Sequence, residues 1–167
     1  MRTFLIGFTV VLALLIPGTA LAAPGNMTNR DALQQLAAVR QATTKYHDVK
    51  QALADGYIPV SDCEEMPGAG AMGIHYLNPR LASDLALDPL TPELLLYVPS
   101  GDGLKLVGVE YFVANVGQPH PSLFGQYFDG PMAGHSPGMP VHYDLHVWIW
   151  QGNPNGVFAQ WNPTVHC

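Results

Sequence analysis

Apolar residues recur at the spacing of an amphipathic helix from about residue 29 onwards. Thr28 and Asp31 resemble a helix-capping box, with Asp in place of the usual Glu. Gly56 suits the left-handed conformation that commonly ends a helix. We therefore predict one long helix over residues 29–55. The residues of its apolar face are Leu33, Leu36, Ala37, Ala42, Tyr46, Val49 and Leu53.

After residue 56 the pattern changes to short apolar runs separated by Gly and Pro, which is typical of strands joined by turns. The turn-forming residues 99–103 separate two of these runs and predict a hairpin. Residues 115–140 form a long Pro/Gly-rich loop, and residues 151–167 a turn-rich tail. The fold class predicted is α+β, with one long N-terminal helix packed on a curved, mostly antiparallel sheet or small β-barrel. The strands are expected at residues 73–78, 93–98, 104–114 and 141–150.

The first 22 residues have the pattern of a secretory signal peptide. Arg2 supplies a positive start, an apolar run covers residues 4–16, and Ala20-Leu21-Ala22 is a small-residue cleavage site. The apolar run is too short for a comfortable membrane span, which needs about 20 residues, although a retained anchor is the alternative. We expect a signal peptide at 1–22 and a single extracytoplasmic domain at 23–167, secreted or periplasmic.

The two cysteines, Cys63 and Cys167, are predicted to form a disulfide, because an even pair in an exported protein is usually oxidised. The bond would close a loop of about 100 residues, for which chain entropy gives at most about 4.7 kcal/mol. Two free thiols that bind a metal are the alternative.

The charge of the chain argues against polyanionic partners. It has 7 basic and 13 acidic residues, and its net charge is −6. Phosphate backbones and anionic lipid surfaces require clustered positive charge. We therefore expect neither a nucleic-acid partner nor, after signal cleavage, a membrane partner.

The predicted strand 141–150 has an unusual composition on one face. Side chains alternate along a strand, so its apolar residues Val141, Tyr143, Leu145, Val147 and Ile149 should meet the core. The opposite face would then carry His142, Asp144, His146, Trp148 and Trp150. An ordinary solvent-facing strand has no need of two His, one Asp and two Trp. This composition predicts the wall of a cavity or cleft.

Two further residues complete a candidate metal site. His75 lies in strand 73–78, and Glu110 lies in strand 104–114 on the predicted face of Leu106, Gly108 and Phe112. A carboxylate among apolar neighbours is costly to bury unless it is paired or metal-bound. Gly108 leaves room for a close approach.

Strand geometry limits how the ligands can combine. Residues i and i+4 on a strand lie about 13 Å apart, so His142 and His146 could share one ion only across a bend. We predict a site formed by His75, Glu110 and His146, with Asp144 as fourth ligand or supporting residue and His142 at its margin. This ligand set suits a divalent transition metal such as zinc, iron, manganese or copper. The expected function is that of an exported metal-binding protein, and an open ligand position would permit metalloenzyme chemistry on a small molecule.

Three other interpretations remain open. The histidines can be purely structural, with Glu110 paired to Arg40, Lys45 or Arg80. The interleaved loop residues Met132, His135, Met139 and His142 favour a periplasmic copper-handling protein, since thioether and imidazole groups bind copper(I). A cleft lined by Trp148, Trp150 and Trp161 favours a non-catalytic module that binds an organic ligand.

Three stretches resemble a group of small secreted bacterial proteins of unknown function. They are MGIHYLNP at residues 72–79, VEYF at 109–112 and HYDLHVW at 142–148. The resemblance covers most of the chain from about residue 45 to the end, and it implies a bacterial, periplasmic or extracellular setting without implying an activity. The cupins offer a looser analogy, since they hold a metal with His and Glu inside a small β-barrel. This chain has His-x-Asp-x-His in place of the cupin spacing.

Overall fold

A computed structural model of the chain describes residues 27–167. The predicted signal peptide at 1–22 lies outside the described residues, as does the start of the predicted domain. Within residues 27–167, none of the helices combines the length and apolar character required to cross a membrane.

The N-terminal helical segment packs its apolar side against the sheet, but it is not continuous. Helix α1 spans Asn29–Thr43, a 3₁₀ turn follows at Thr44–His47, and helix α2 spans Val49–Ala54. Thr28 and Asp31 form the predicted capping box. Asp48 interrupts the helix because its backbone is extended (φ −89°, ψ 105°) and its side chain caps α2 by accepting a hydrogen bond from the Lys50 amide. An Asp side chain commonly competes with the helix in this way.

The sheet is antiparallel throughout, which confirms the predicted α+β class. Its strand order is β1-β3-β4-β5-β9-β8, and β2 also pairs with β3. The small strands β6 and β7 form a separate hairpin. The strand bounds are β1 Ile58–Pro59, β2 Glu64–Met66, β3 Gly70–Leu77, β4 Leu94–Ser100, β5 Gly103–Ala114, β6 Ser122–Leu123, β7 Gln126–Tyr127, β8 Asp129–Met132 and β9 His142–Val147.

The four predicted strands are present as β3, β4, β5 and β9, and β4 and β5 form the predicted hairpin. Strand β9 is shorter than the predicted strand 141–150, because the amides of Trp148 and Trp150 donate to the loop carbonyl of Val157 and to Val107 instead of continuing the β5–β9 ladder. The long loop 115–140 contains the short strands β6, β7 and β8.

The predicted face of β5 needs one correction. The pairing of β4 with β5 shifts register between Leu96 and Tyr97, which marks a β-bulge. A bulge changes the alternation of side chains. Leu106 therefore lies in the main core, on the opposite side of the sheet from Glu110, whereas a Cβ at Gly108 would lie 3.4 Å from Leu96 on the second face.

The sheet separates two apolar clusters. The main core lies between the sheet and the helices and contains Val39, Tyr97, Tyr111 and Leu145. A smaller cluster on the other face includes Leu96, Val107, Trp148 and the tail residue Val165. The C-terminal tail therefore covers the second face of the sheet.

A disulfide joins Cys63 and Cys167, with 5.7 Å between their Cα atoms, as predicted. Cys63 directly precedes β2, and Cys167 ends the tail. The bond therefore holds the tail against the face of the sheet that carries the candidate site.

Candidate metal centre

His75, Glu110 and His146 converge on one buried point on the second face of the sheet. Glu110 and His146 are direct cross-strand partners on β5 and β9. His75 lies on β3, and β4 separates it from β5, so two strand spacings of about 4.8 Å lie between the two backbones. The long side chains bridge this gap above β4.

The interatomic distances in this triad suit one metal ion. Glu110 Oε2 lies 3.3 Å from His75 Nε2 and 3.7 Å from His146 Nε2. One ligand atom from each residue lies within 4.8 Å of the others. Two ligands held 2.1 Å from a tetrahedral ion lie about 3.4 Å apart. The three side chains therefore offer the spacing of a two-histidine, one-carboxylate metal site.

Hydrogen bonds orient the ring of His75. Ser61 Oγ donates to the carbonyl of Asp62 and accepts from the backbone amide of His75. A hydroxyl has one hydrogen, so His75 Nδ1, 3.0 Å from the same Oγ, carries the proton and donates it. Glu64 Oε1 lies 3.5 Å from Nδ1 and favours the same tautomer. The lone pair of Nε2 then faces Glu110 Oε2.

Asp144 lies beside the ring of His146, at the edge of the triad. Its Oδ1 is 3.9 Å from His146 Nδ1, because residues two apart share one face of β9. This position suits a supporting carboxylate that orients a metal-binding imidazole. Of the two roles predicted for Asp144, the geometry favours the supporting one.

Four buried polar atoms around this point have no hydrogen-bond partner among the described residues: Glu110 Oε2, Asp144 Oδ1, His146 Nδ1 and His146 Nε2. A buried polar atom without a partner costs about 1–3 kcal/mol. Two of the four, Glu110 Oε2 and His146 Nε2, are triad atoms that face one another at 3.7 Å. A cation bound between the three residues would satisfy both.

Burial controls the protonation of the triad. Burial, followed by the nearby His146, lowers the pKa of His75 to about 3. Burial likewise lowers the pKa of His146. Burial, followed by the charge of Asp144, raises the pKa of Glu110 well above its usual range. Both imidazoles are therefore neutral at pH 7, which is the form that binds metals, and a cation would displace the proton of Glu110.

His142 belongs to a second group, with His135 and Asp144, whose ligand atoms also lie within 4.8 Å of one another. His142 Nδ1 donates to the carbonyl of Pro140, so its Nε2 faces Asp144 Oδ2 at 3.6 Å. His135 is exposed on the loop. The structure therefore divides the five predicted site residues between two neighbouring groups.

The purely structural interpretation expected a basic partner for Glu110. Arg40 instead donates to the carbonyl of Ile149 and stacks over Trp150, and Lys45 pairs with Asp55. Within residues 27–167, no lysine or arginine lies within ion-pair distance of Glu110, and its close basic neighbours are the neutral rings of His75 and His146.

The three tryptophans of the predicted aromatic cleft occupy different places. Trp148 is buried in the second cluster. Trp150 packs against α1, where its Nε1 donates to Thr43. Trp161 lines a cavity of about 330 Å³ beside the triad. Only Trp161 of the three is therefore placed against this cavity.

Two cavities meet at the triad. The smaller cavity is lined by His75, Glu110 and His146 together with Met72 and Met132. The larger cavity, of about 620 Å³, is lined by His75, Glu110 and Met139. The predicted Met132 and Met139 pair is thus divided between the two cavities.

The sequence pattern did not identify Ser61 and Glu64 as part of the site. They flank Cys63, and their nearness to the predicted disulfide was the available signal. Glu64 reaches His75 through the short β2–β3 pairing, in which it lies opposite Gly73, and Ser61 follows Val60, whose amide donates to the His75 carbonyl beside β1. Such a short irregular pairing has no clear signature in the sequence.

Comparison of the chain with protein-family models, with curated proteins and with solved structures gave no significant match. The chemistry of the site is therefore inferred from its own residues and geometry.

Proposed function

We propose that this chain is an exported metal-binding protein that holds one divalent transition-metal ion with His75 Nε2, Glu110 Oε2 and His146 Nε2. Zinc and iron(II) are the ions that two-histidine, one-carboxylate sets most often bind. Asp144 supports His146, and Ser61 with Glu64 supports His75.

The observation that carries the proposal is the convergence of three lone-pair atoms in a buried place. Glu110 Oε2 and His146 Nε2 have no hydrogen-bond partner in the described part of the chain, and the oriented Nε2 of His75 lies 3.3 Å from the carboxylate oxygen. Lone pairs repel one another unless a proton or a cation supplies positive charge between them, and in the metal-free protein the proton held by Glu110 does so. A metal ion supplies that charge with the ligand geometry described above.

Three protein ligands leave at least one coordination position open, as in catalytic rather than structural zinc sites. A metal at such a position lowers the pKa of a bound water or polarises a bound carbonyl. Glu64 lines both cavities and reaches His75. We assign it the role of holding a proton or water at the open side of the site, which would make the protein a small-molecule metalloenzyme.

The disulfide supports an oxidising location. Together with the signal-peptide pattern and the resemblance to small secreted bacterial proteins, it leads us to propose a secreted or periplasmic protein.

Zinc binding to graded variants tests this function. We expect untagged, metal-stripped protein to bind one zinc tightly in a chelator-competition titration. Glu110→Gln preserves the shape of the side chain and should abolish tight binding. Asp144→Asn and Ser61→Ala should weaken binding by about 10–100-fold, since they remove only supporting contacts.

His166→Ala is the matched control, because the side chain of His166 is 70% exposed and lies away from the triad in a contact with Glu65. It should leave zinc affinity unchanged. Equal zinc affinity in the wild type and in folded Glu110→Gln would refute the proposed site.

A copper carrier is the second candidate, favoured by the position of Met72 and Met132 in the same cavity as His75 and His146. Soft thioether ligands select copper(I). The Met72→Leu, Met132→Leu double variant would then lose copper(I) affinity while it keeps zinc affinity. Unchanged competition with a copper(I) chelator would exclude this candidate.

A further inference from the structure

The larger cavity lies against the metal centre. It has a volume of about 620 Å³, and both His75 and Glu110 contribute to its wall. Cavities of about 300–1,000 Å³ are the usual size of small-molecule sites. A molecule in this cavity therefore reaches two of the three residues that form the metal centre.

The walls of the cavity away from the triad are mainly apolar. Leu94 and Phe112 project from the sheet, and Leu77 extends this surface along β3. Residues 137–140 of the Pro/Gly-rich loop, including Met139, form the opposite side. Burial of hydrocarbon against such walls contributes about 0.8 kcal/mol per CH₂ group. The cavity therefore favours a molecule with an apolar body.

No lysine or arginine among residues 27–167 lines this cavity, and its charged residues are Glu64 and Glu110 apart from the two histidines. An anionic body would lose its hydration there without gaining a cationic partner, which is costly. A divalent cation at the triad would already be offset by these two carboxylates. The electrostatics thus favour an uncharged occupant.

We propose that the cavity binds an uncharged, mainly apolar organic molecule that directs one nitrogen or oxygen donor to the open position of the metal. This inference rests on the proposed metal site and names the class of molecule on which that site acts. The metal ion would bind the donor atom of this molecule. Leu94, Phe112 and loop residues 137–140 would contact its apolar part.

Three neutral-headed probes separate these contributions at pH 8. 1-Methylimidazole presents the donor head alone, 1-hexylimidazole adds an apolar tail, and 6-(imidazol-1-yl)hexanoate adds an anionic one. Calorimetric titration of the zinc-loaded protein should show that 1-hexylimidazole binds at least about 30-fold more tightly than 1-methylimidazole, since five added CH₂ groups enter the cavity. For 6-(imidazol-1-yl)hexanoate, whose tail ends in a carboxylate, we expect most of this increase in affinity to be absent.

A cavity-filling variant provides the matched test. Ala82 lines the cavity, and Ala82→Trp should abolish the tail preference while zinc and 1-methylimidazole still bind. Ala86 lies in the same segment but is exposed, so Ala86→Trp should retain the preference. Stoichiometric zinc without a tail preference, or equal binding of the anionic tail, would overturn this inference alone. Failure to bind zinc would overturn the proposed function and the metal-anchored occupant together.

Discussion

Glu93 is a buried carboxyl group outside the metal centre, and it makes the stability of the fold depend on pH. It is 2% exposed and accepts a hydrogen bond from the Phe112 amide. Burial raises its pKa to about 8. The folded state thus holds a proton that the unfolded state releases near pH 4.5, so stability is complete below that pH and falls as pH rises towards 8.

Glu93→Gln imitates the protonated side chain and should reduce this dependence. Between pH 5 and 8 we expect the wild type to lose on the order of 2–4 kcal/mol more unfolding free energy than the variant. Urea denaturation of both metal-free proteins at pH 5 and pH 8 measures this difference in unfolding free energy. The site histidines are the same in both proteins, so their contributions cancel. Parallel pH profiles would contradict the assignment of this proton to Glu93.

The individual site residues could be predicted where residue type alone is unusual. Two histidines and a carboxylate on one strand face, and Glu110 among apolar neighbours, mark His146, Asp144 and Glu110 as candidates. The division of Asp144 and His142 from the triad could not be predicted, because it depends on the orientation of individual side chains, such as the His142 ring that donates to the Pro140 carbonyl. Ser61 and Glu64 could not be predicted either, because short irregular pairings at the edge of β3 bring them to His75.

Gly108 illustrates how a strand element fixes the site. A Cβ at this position would lie 2.9 Å from the backbone carbonyl of Val147, which directly follows His146. Gly108→Ala should therefore force β5 and β9 apart, cost about 1–3 kcal/mol of stability and weaken zinc binding. Gly103→Ala in the same strand is the control, since its nearest neighbour would be at 3.9 Å. Equal effects of the two substitutions would show that the close approach at Gly108 is unimportant.

The C-terminal tail is held on the site face by the disulfide. It contributes Gln160 and Trp161 to the smaller cavity. Cys63→Ser with Cys167→Ser should lower the unfolding free energy by about 2–4 kcal/mol and increase the dissociation rate of zinc. Stopped-flow chelation measures that rate. An unchanged rate in the folded double variant would mean that the tail does not enclose the metal.

Elements with a strong periodic pattern were predicted correctly, whereas their interruptions were not. The helical segment and the strands β3, β4, β5 and β9 follow from apolar spacing. The helix breaks at Asp48, where the side chain caps α2. A bulge in the β4–β5 pairing places Leu106 in the main core, and β9 ends early because its next amides donate to other carbonyls. Apolar spacing carries no information about such contacts.

At the scale of the whole molecule, the fold places two neighbouring groups of polar residues beside the apolar cluster on the second face of the sheet. Helices and the main core lie on one side, and the tail, the loop and the second cluster enclose the other. The triad draws one residue from each of β3, β5 and β9, so its geometry exists only when the complete sheet has formed. Folding and metal binding should therefore stabilise one another.

Anomalous diffraction from crystals of zinc-loaded protein tests the central claim most directly. Data collected on both sides of the zinc absorption edge should show one strong peak about 2.0–2.2 Å from His75 Nε2, Glu110 Oε2 and His146 Nε2. A peak only at His135, His142 and Asp144, or ordered triad side chains with no zinc between them, would contradict the account.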